Sequence, residues 1–309
     1  MILGIKSYLT YGIKSLIFLL LFISLQSYAQ DGVFSQYMLN PFRYNPAYAG
    51  VDGNNNFELI NRLQWWRLNG GYKSFLLSYN TSLDSINSGI GGSILYDNQT
   101  GTLYKFSAKI SYNYKIIFGK KHSLRIGPTL AVRNDWLDTS KLLYDCNYLG
   151  GSCSESYKTT SVVNMSIGGG LWYSLKSFFV GFSVDHINKP IIQFLNTTTT
   201  STRLFTVIYA NIGYKFSLGE KLKISPSIRY LKQGPATSKE ANVILFHRLF
   251  LLGFAYRHQD AIIGIVGFKF LKQFQLVSSF DLTTSSLIKT NKGNSIEFSL
   301  RFQPKQKQN

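Results

Sequence analysis

Residues 104–118, YKFSAKISYNYKIIF, alternate between two kinds of side chain. Tyr104, Phe106, Ala108, Ile110, Tyr112, Tyr114, Ile116 and Phe118 fall on one side. Lys105, Ser107, Lys109, Ser111, Asn113 and Lys115 fall on the other, with Ile117 the exception. A period of two predicts a β-strand with unlike faces. The pattern returns at 73–83, 123–134, 202–218, 273–285 and 293–302; in the last, Ile296, Phe298, Leu300 and Phe302 oppose Ser295, Glu297, Ser299 and Arg301. Counting such segments predicts about fourteen strands, from 57–67 to 293–302. Turns after even-numbered strands are tight, as at 119–121, and the long connections, 134–159 and the Thr-rich 188–202, follow odd-numbered ones. An even strand number with short turns at one end and long loops at the other is the pattern of an outer-membrane barrel.

A soluble sandwich could also produce alternating strands, with the aromatic face on a protein core. The length of 104–118 decides against it, because ordinary strands run about 5 to 6 residues. From Tyr104 to Tyr114 a strand climbs roughly 25 Å, at about 3.3 Å per residue and about 40° of tilt. Aromatics mark both ends of that span and Ala108 and Ile110 its middle, as in an apolar band between two aromatic girdles. The apolar face is therefore predicted to meet lipid and the Lys/Ser face a polar lumen. The predicted fold is all-β, a transmembrane antiparallel β-barrel of about fourteen strands with an N-terminal non-barrel segment.

The first residues read as a secretory leader. Lys6 and Lys14 precede the apolar run 16–25, and Ser27, Tyr28 and Ala29 place small residues around a cleavage site before Gln30. The run is too short to span a bilayer, which takes roughly 20 residues. The expected organisation is a signal peptide at 1–29, an N-terminal periplasmic or plug segment at 30–56, the barrel at 57–302 and a polar tail at 303–309. The expected location is the cell outer membrane.

Export changes the meaning of the charge. The chain carries +18, or +16 once the leader's two lysines are gone. A basic exported protein points to lipid headgroups or an acidic partner protein rather than nucleic acid, or to a basic surface dispersed over wall and lumen. Cys146 and Cys153 are the only cysteines; they could close a small loop by a disulfide, and two thiols alone do not make a zinc site. No nucleophile elbow, metalloprotease helix, phosphate loop or dinucleotide fingerprint occurs. The glycines at 89–92 and 168–170 lie within strands and read as bends or bulges. Asp185 and His186 are the one acid–His neighbour pair, and strand neighbours point to opposite faces. Catalytic, cofactor and metal residues are accordingly expected to be none, and the chain is read as no enzyme.

One stretch does not belong to a wall: FSQYMLNPFRYNPAYAG, 34–50. Pro41 and Pro46, each after an Asn, forbid a regular ladder, yet five aromatic rings demand burial. It is read as a lumen plug or a docking surface, which are compatible. The stretch closely resembles the opening signature of the PorP/SprF family, outer-membrane proteins of Bacteroidota tied to type IX secretion. The resemblance continues at 89–101, 171–190, 224–270 and 295–302, and so covers nearly all of the chain after the leader. Family members often read Ser-His-Glu near the end, where this chain has Ser295, Ile296 and Glu297.

The resemblance implies a non-enzymatic accessory or anchor supporting secretion and surface attachment of a cognate gliding or adhesin-type protein. Its partners would be the C-terminal domain of a secreted type IX cargo, the secretion machinery and outer-membrane lipid, with no nucleic acid. The motif residues it singles out are Phe34, Ser35, Gln36, Tyr37, Asn40, Pro41, Asn45, Pro46, Ala47, Tyr48 and Gly50. An outer-membrane pore, with Lys105, Lys109 and Arg125 favouring anions, is the alternative.

Overall fold

The computed structural model describes residues 31–53, 55–141, 159–194, 203–285 and 293–304. The expected leader and both cysteines, Cys146 and Cys153, lie outside the described residues. The first six strands are β1 (Asn56–Gln64), β2 (Tyr72–Leu83), β3 (Ser88–Gln99), β4 (Leu103–Phe118), β5 (His122–Leu137) and β6 (Thr160–Leu175). The wall continues with β7 (Phe178–Asp185), β8 (Val207–Tyr214), β9 (Phe216–Leu218), β10 (Leu222–Gln233) and β11 (Ala236–Phe246). It ends with β12 (Phe250–Arg257), β13 (Ala261–Phe270), β14 (Phe274–Thr283) and β15 (Ser295–Phe302). β8 and β9 both pair with β10 and are one stave broken at Lys215, so the wall is a closed antiparallel barrel of fourteen strands. Antiparallel pairing of β1 with β15, Phe57 opposite Phe302, closes the ring.

The burial is inverted relative to a soluble protein. Along β4, Phe106, Ile110, Tyr112 and Tyr114 are exposed on the outer surface, and Lys105, Ser111 and Asn113 are buried. Ile110, mid-strand, is 66% exposed, while the lumenal Arg229 and Glu297 are 0% exposed. Only a solvent of hydrocarbon makes that arrangement favourable, since large exposed apolar surface is costly in water. The expected long loops follow β5, β7 and β14, but the same end also carries tight turns at 100–102, 234–235 and 258–260. Charged and small polar side chains cannot fill a lumen with an apolar core. Among the described residues three buried apolar clusters form, and each contains residues from 34–50: Leu39 on β11–β14, Phe34 with Ile60 and Leu76, and Phe42, Ala47, Tyr48 and Ala49 with Trp172.

Candidate functional site

The segment 34–50 owes its shape to its two Asn-Pro pairs. A residue before proline is held extended, and Asn40 and Asn45 have φ near −130°. Proline fixes its own φ for the first position of a helical turn, so Pro41–Arg43 and Pro46–Tyr48 form short 3₁₀ turns. The Asn40 Oδ1 accepts from the Arg43 N–H at 3.2 Å, and Asn45 Oδ1 from the Ala47 N–H at 3.0 Å. The other end of each amide grips the wall. Asn40 Nδ2 donates to Ser78 Oγ at 3.0 Å, and Asn45 Nδ2 to the carbonyls of Leu171 and Phe182 at 2.9 and 3.2 Å. One side chain thus shapes the plug and fastens it. Gly50 (φ +70°) turns the chain out towards β1; a Cβ there would lie 2.7 Å from the Ser82 backbone.

The start of the segment docks on charge. Glu297 on β15 accepts the backbone N–H groups of Ser35 (2.8 Å) and Gln36 (3.0 Å) and pairs with Arg62 on β1 at 3.1 Å. Ser35 Oγ donates to Asp281 at 2.6 Å and accepts from Arg62 and Arg257 at 2.7 and 3.0 Å. Gln36 is clasped by Ser279, the Glu297 carbonyl and Ser299. Arg257 and Arg229 both reach Glu240, at 2.8 and 2.9 Å. Three arginines and three carboxylates thus balance, as buried ions require. The cross-strand register makes the match: Arg62 lies opposite Glu297, Arg229 opposite Glu240, and Glu240 opposite Arg257.

Aromatic contacts hold the rest. The Arg229 guanidinium lies 4.2 Å from the Tyr37 ring centroid, and the Tyr37 hydroxyl accepts from Asn242 Nδ2. Burial pushes the Tyr37 phenol well up, so it stays neutral. Burial does the same for Tyr48, with Asp52 adding to it. Tyr44 stacks on Tyr209 at 5.1 Å, and Tyr48 meets Trp172 edge-on at 4.6 Å. Arg125 and Asn113 bind the Ala49 carbonyl, and Arg125 that of Gly50.

Phe34, Ser35, Gln36, Tyr37, Asn40, Pro41, Asn45, Pro46, Ala47, Tyr48 and Gly50 are therefore gathered in one place, buried against the lumenal wall. Of the charged wall residues that receive them, Arg125 was read as lumenal, and Arg62, Arg229, Arg257, Glu240 and Asp281 went unread, being single charges at inward positions of separate strands. Of the glycines in 89–92 and 168–170, read as bends or bulges, Gly89, Gly91 and Gly170 serve as clearance for the plug. A Cβ on Gly91 would fall 2.6 Å from Phe42, on Gly89 2.1 Å from the Ala49 carbonyl, and on Gly170 2.2 Å from Asn45. Ile296, at the position that departs from the family pattern, lies outward between the buried Ser295 and Glu297 and away from the plug.

Two other constellations are weaker. His186, at φ +56°, turns back towards Asp185 instead of facing away from it. Ser166 Oγ lies 2.6 Å from His186 Nδ1, and Asp185 Oδ1 lies 3.9 Å from that same nitrogen. Acyl transfer needs the two ring nitrogens to serve separate partners, whereas Ser166 and Asp185 both lie nearest the same one. Of the lumenal cations, Lys109 pairs with Asp185, Lys105 is buried opposite Asp97 and Asp135, and Arg125 is spent on the plug.

The family model described as type IX secretion system membrane protein PorP/SprF matches residues 26–302. No curated protein matches the chain. Among solved structures the barrel is similar to the Ralstonia pickettii toluene transporter TbuX, at 10% identity and a TM-score of 0.51, over 85% of this chain and 92% of that one. It is also similar to the Acinetobacter baumannii outer membrane protein Omp33, at 7% identity and a TM-score of 0.49, over 82% and 98%. The P. putida toluene transporter TodX gives 13% and 0.49, over 86% and 94%. At 10% identity the likeness to TbuX is one of fold alone.

Proposed function

The chain belongs to the PorP/SprF family of type IX secretion system membrane proteins, and from that premise we propose that it is a closed, non-enzymatic accessory of type IX secretion. It holds a cognate secreted surface protein, of gliding or adhesin type, at the cell surface through that protein's C-terminal domain. The filled lumen carries this reading. A transport channel has to keep a path open, whereas here residues 34–50 occupy the lumen through hydrogen bonds, several to charged wall groups, to strands on every side. A barrel so filled presents its rim and loops, not its bore. The long connections after β5 and β7 would meet the cargo, and 30–56 would close the lumen after the leader 1–29 is cut away.

The test is to tag the C-terminal tail, crosslink in native outer membranes and identify what co-purifies. Recovery of one large secreted protein through its C-terminal domain supports the anchor. Recovery of periplasmic machinery alone moves the role to a secretion component.

A cavity of about 350 Å³ left between the plug and the β8–β14 wall favours a second reading, a gated channel. The fold shared with TbuX, a toluene transporter, suits it. Planar-bilayer recordings separate the two readings. The anchor predicts a silent full-length barrel that conducts only after deletion of 31–53, and the channel predicts current from the intact protein.

A further inference from the structure

The short-turn mouth of the barrel is strongly basic. Three adjoining cavities of about 350, 330 and 230 Å³ open there, and all three are lined by Lys215. Lys223 and Lys269 line two of them, and Lys115 and Lys176 the third. The acids lining these spaces are Asp52 and Glu220; Asp52 lies near Arg301, which pairs with Glu58 at 3.2 Å. Among the described residues no carboxylate lies within ion-pair distance of Lys215, Lys223 or Lys269. The adjacent turn tips add Lys120, Lys121, Lys221, Arg248 and Lys272. A large part of the chain's excess charge, scattered in sequence, thus meets at this mouth, and like charges so close are unfavourable until a counter-charge arrives.

The geometry points to a binding site for an extended acidic polypeptide segment bearing apolar side chains between its carboxylates. Three features select that ligand over a small anion. The adjoining cavities share lining residues and together offer more room than a single phosphate group needs. Its cations are mostly lysines, flexible point charges without the planar fork that clamps phosphate bidentately. Between the lysines, beside polar groups such as Asn211, Ser225, Ser227 and Gln275, stand the apolar side chains of Trp172, Phe179, Ile244 and Phe246, with the Lys215 ammonium 5.9 Å from the Phe179 ring centroid. Because short turns face the periplasm, the donor of the segment is a periplasmic protein or domain. From the proposed function the inference takes only that orientation.

The test uses the full mature barrel in zwitterionic detergent and a fluorescein-labelled octapeptide alternating Glu with Leu and Phe, read by fluorescence anisotropy. Saturable binding that weakens steadily with added salt is expected, and the triple variant Lys215→Gln, Lys223→Gln, Lys269→Gln should bind about tenfold more weakly or worse. A control of equal charge change at the other end, Lys73→Gln, Lys189→Gln, Lys239→Gln, should bind as the unaltered barrel does. Heat-modifiable gel migration reports folding; if the triple variant does not fold, Lys215→Gln alone and the salt titration of the unaltered barrel carry the test. Equal affinity of the mouth variant, equal affinity of a peptide with Gln in place of Glu, or displacement by inorganic phosphate as readily as by unlabelled peptide would each overturn the inference. No cargo enters the assay. Peptide binding that fails while cargo stays attached in cells sinks this site and spares the anchor, and the converse result does the reverse.

Discussion

Removing the charge at Glu297 should release the start of the plug while the barrel stays closed. In Glu297→Gln one carboxylate oxygen becomes an amide N–H₂. That group faces the Ser35 or Gln36 N–H as donor against donor, and Arg62 loses one of its two acidic partners. Hydrogen bonds to a charged group contribute about 1.5–3 kcal/mol each, and breaking a buried pair costs about 3–5 kcal/mol. Glutamine keeps one acceptor and Arg62 keeps Asp281, so the low end applies. A loss of about 3 kcal/mol raises the local opening equilibrium about a hundredfold. Hydrogen exchange read by mass spectrometry on the detergent-solubilised barrel measures it: amides of 34–40 should exchange about a hundredfold faster, with β14 and β15 unchanged. Glu58→Gln is the control. It removes an equally buried carboxylate whose hydrogen-bond partner is Arg301 and not the plug. Unchanged protection at 34–40, or equal loss across the wall strands, would refute the claim that Glu297 is a latch.

Other perturbations separate wall from plug. Gly91→Ala should lower stability by about 1–3 kcal/mol by overpacking Phe42, whereas Gly264→Ala, with nothing within 4 Å of its Cβ, should be neutral or slightly stabilising; denaturant titration of the folded gel band compares them. Asn45→Ala loses a cap and two wall bonds and should expose 41–50 to added protease, at about 1–2 kcal/mol of plug stability, with the strands still resistant. Ile110→Arg, near the middle of the lipid-facing band, should cost about 2–4 kcal/mol in guanidinium unfolding from lipid vesicles, whereas Phe118→Arg, at the end of β4, should cost about 0–1.

The wall was legible in the chain because its information is local. A strand whose two faces meet lipid and lumen must alternate, and alternation alone marked 104–118, within one residue of the observed β4, Leu103–Phe118. The inverted burial followed as well, since Tyr104 to Tyr114 has the reach and the aromatic grading of a membrane span. The plug was half legible: its prolines barred it from the wall and its aromatics required burial, but no residue in 34–50 says which wall positions it meets. Those contacts join positions as distant as Ser35 and Glu297, and only strand register and ring closure bring them together. Glu240, Asp281 and Glu297 look like isolated acids in sequence. They become counter-ions of Arg229, Arg257 and Arg62 because neighbouring strands place them at one level. Gly89 and Gly91 look like bends until Ala49 and Phe42 arrive against them. The basic mouth is a product of the same closure, which collects Lys215, Lys223 and Lys269 from separate strands around one opening. Alternation is a property of each strand taken singly and so is written in the sequence, whereas a lumen belongs to no strand until all fourteen have closed around it.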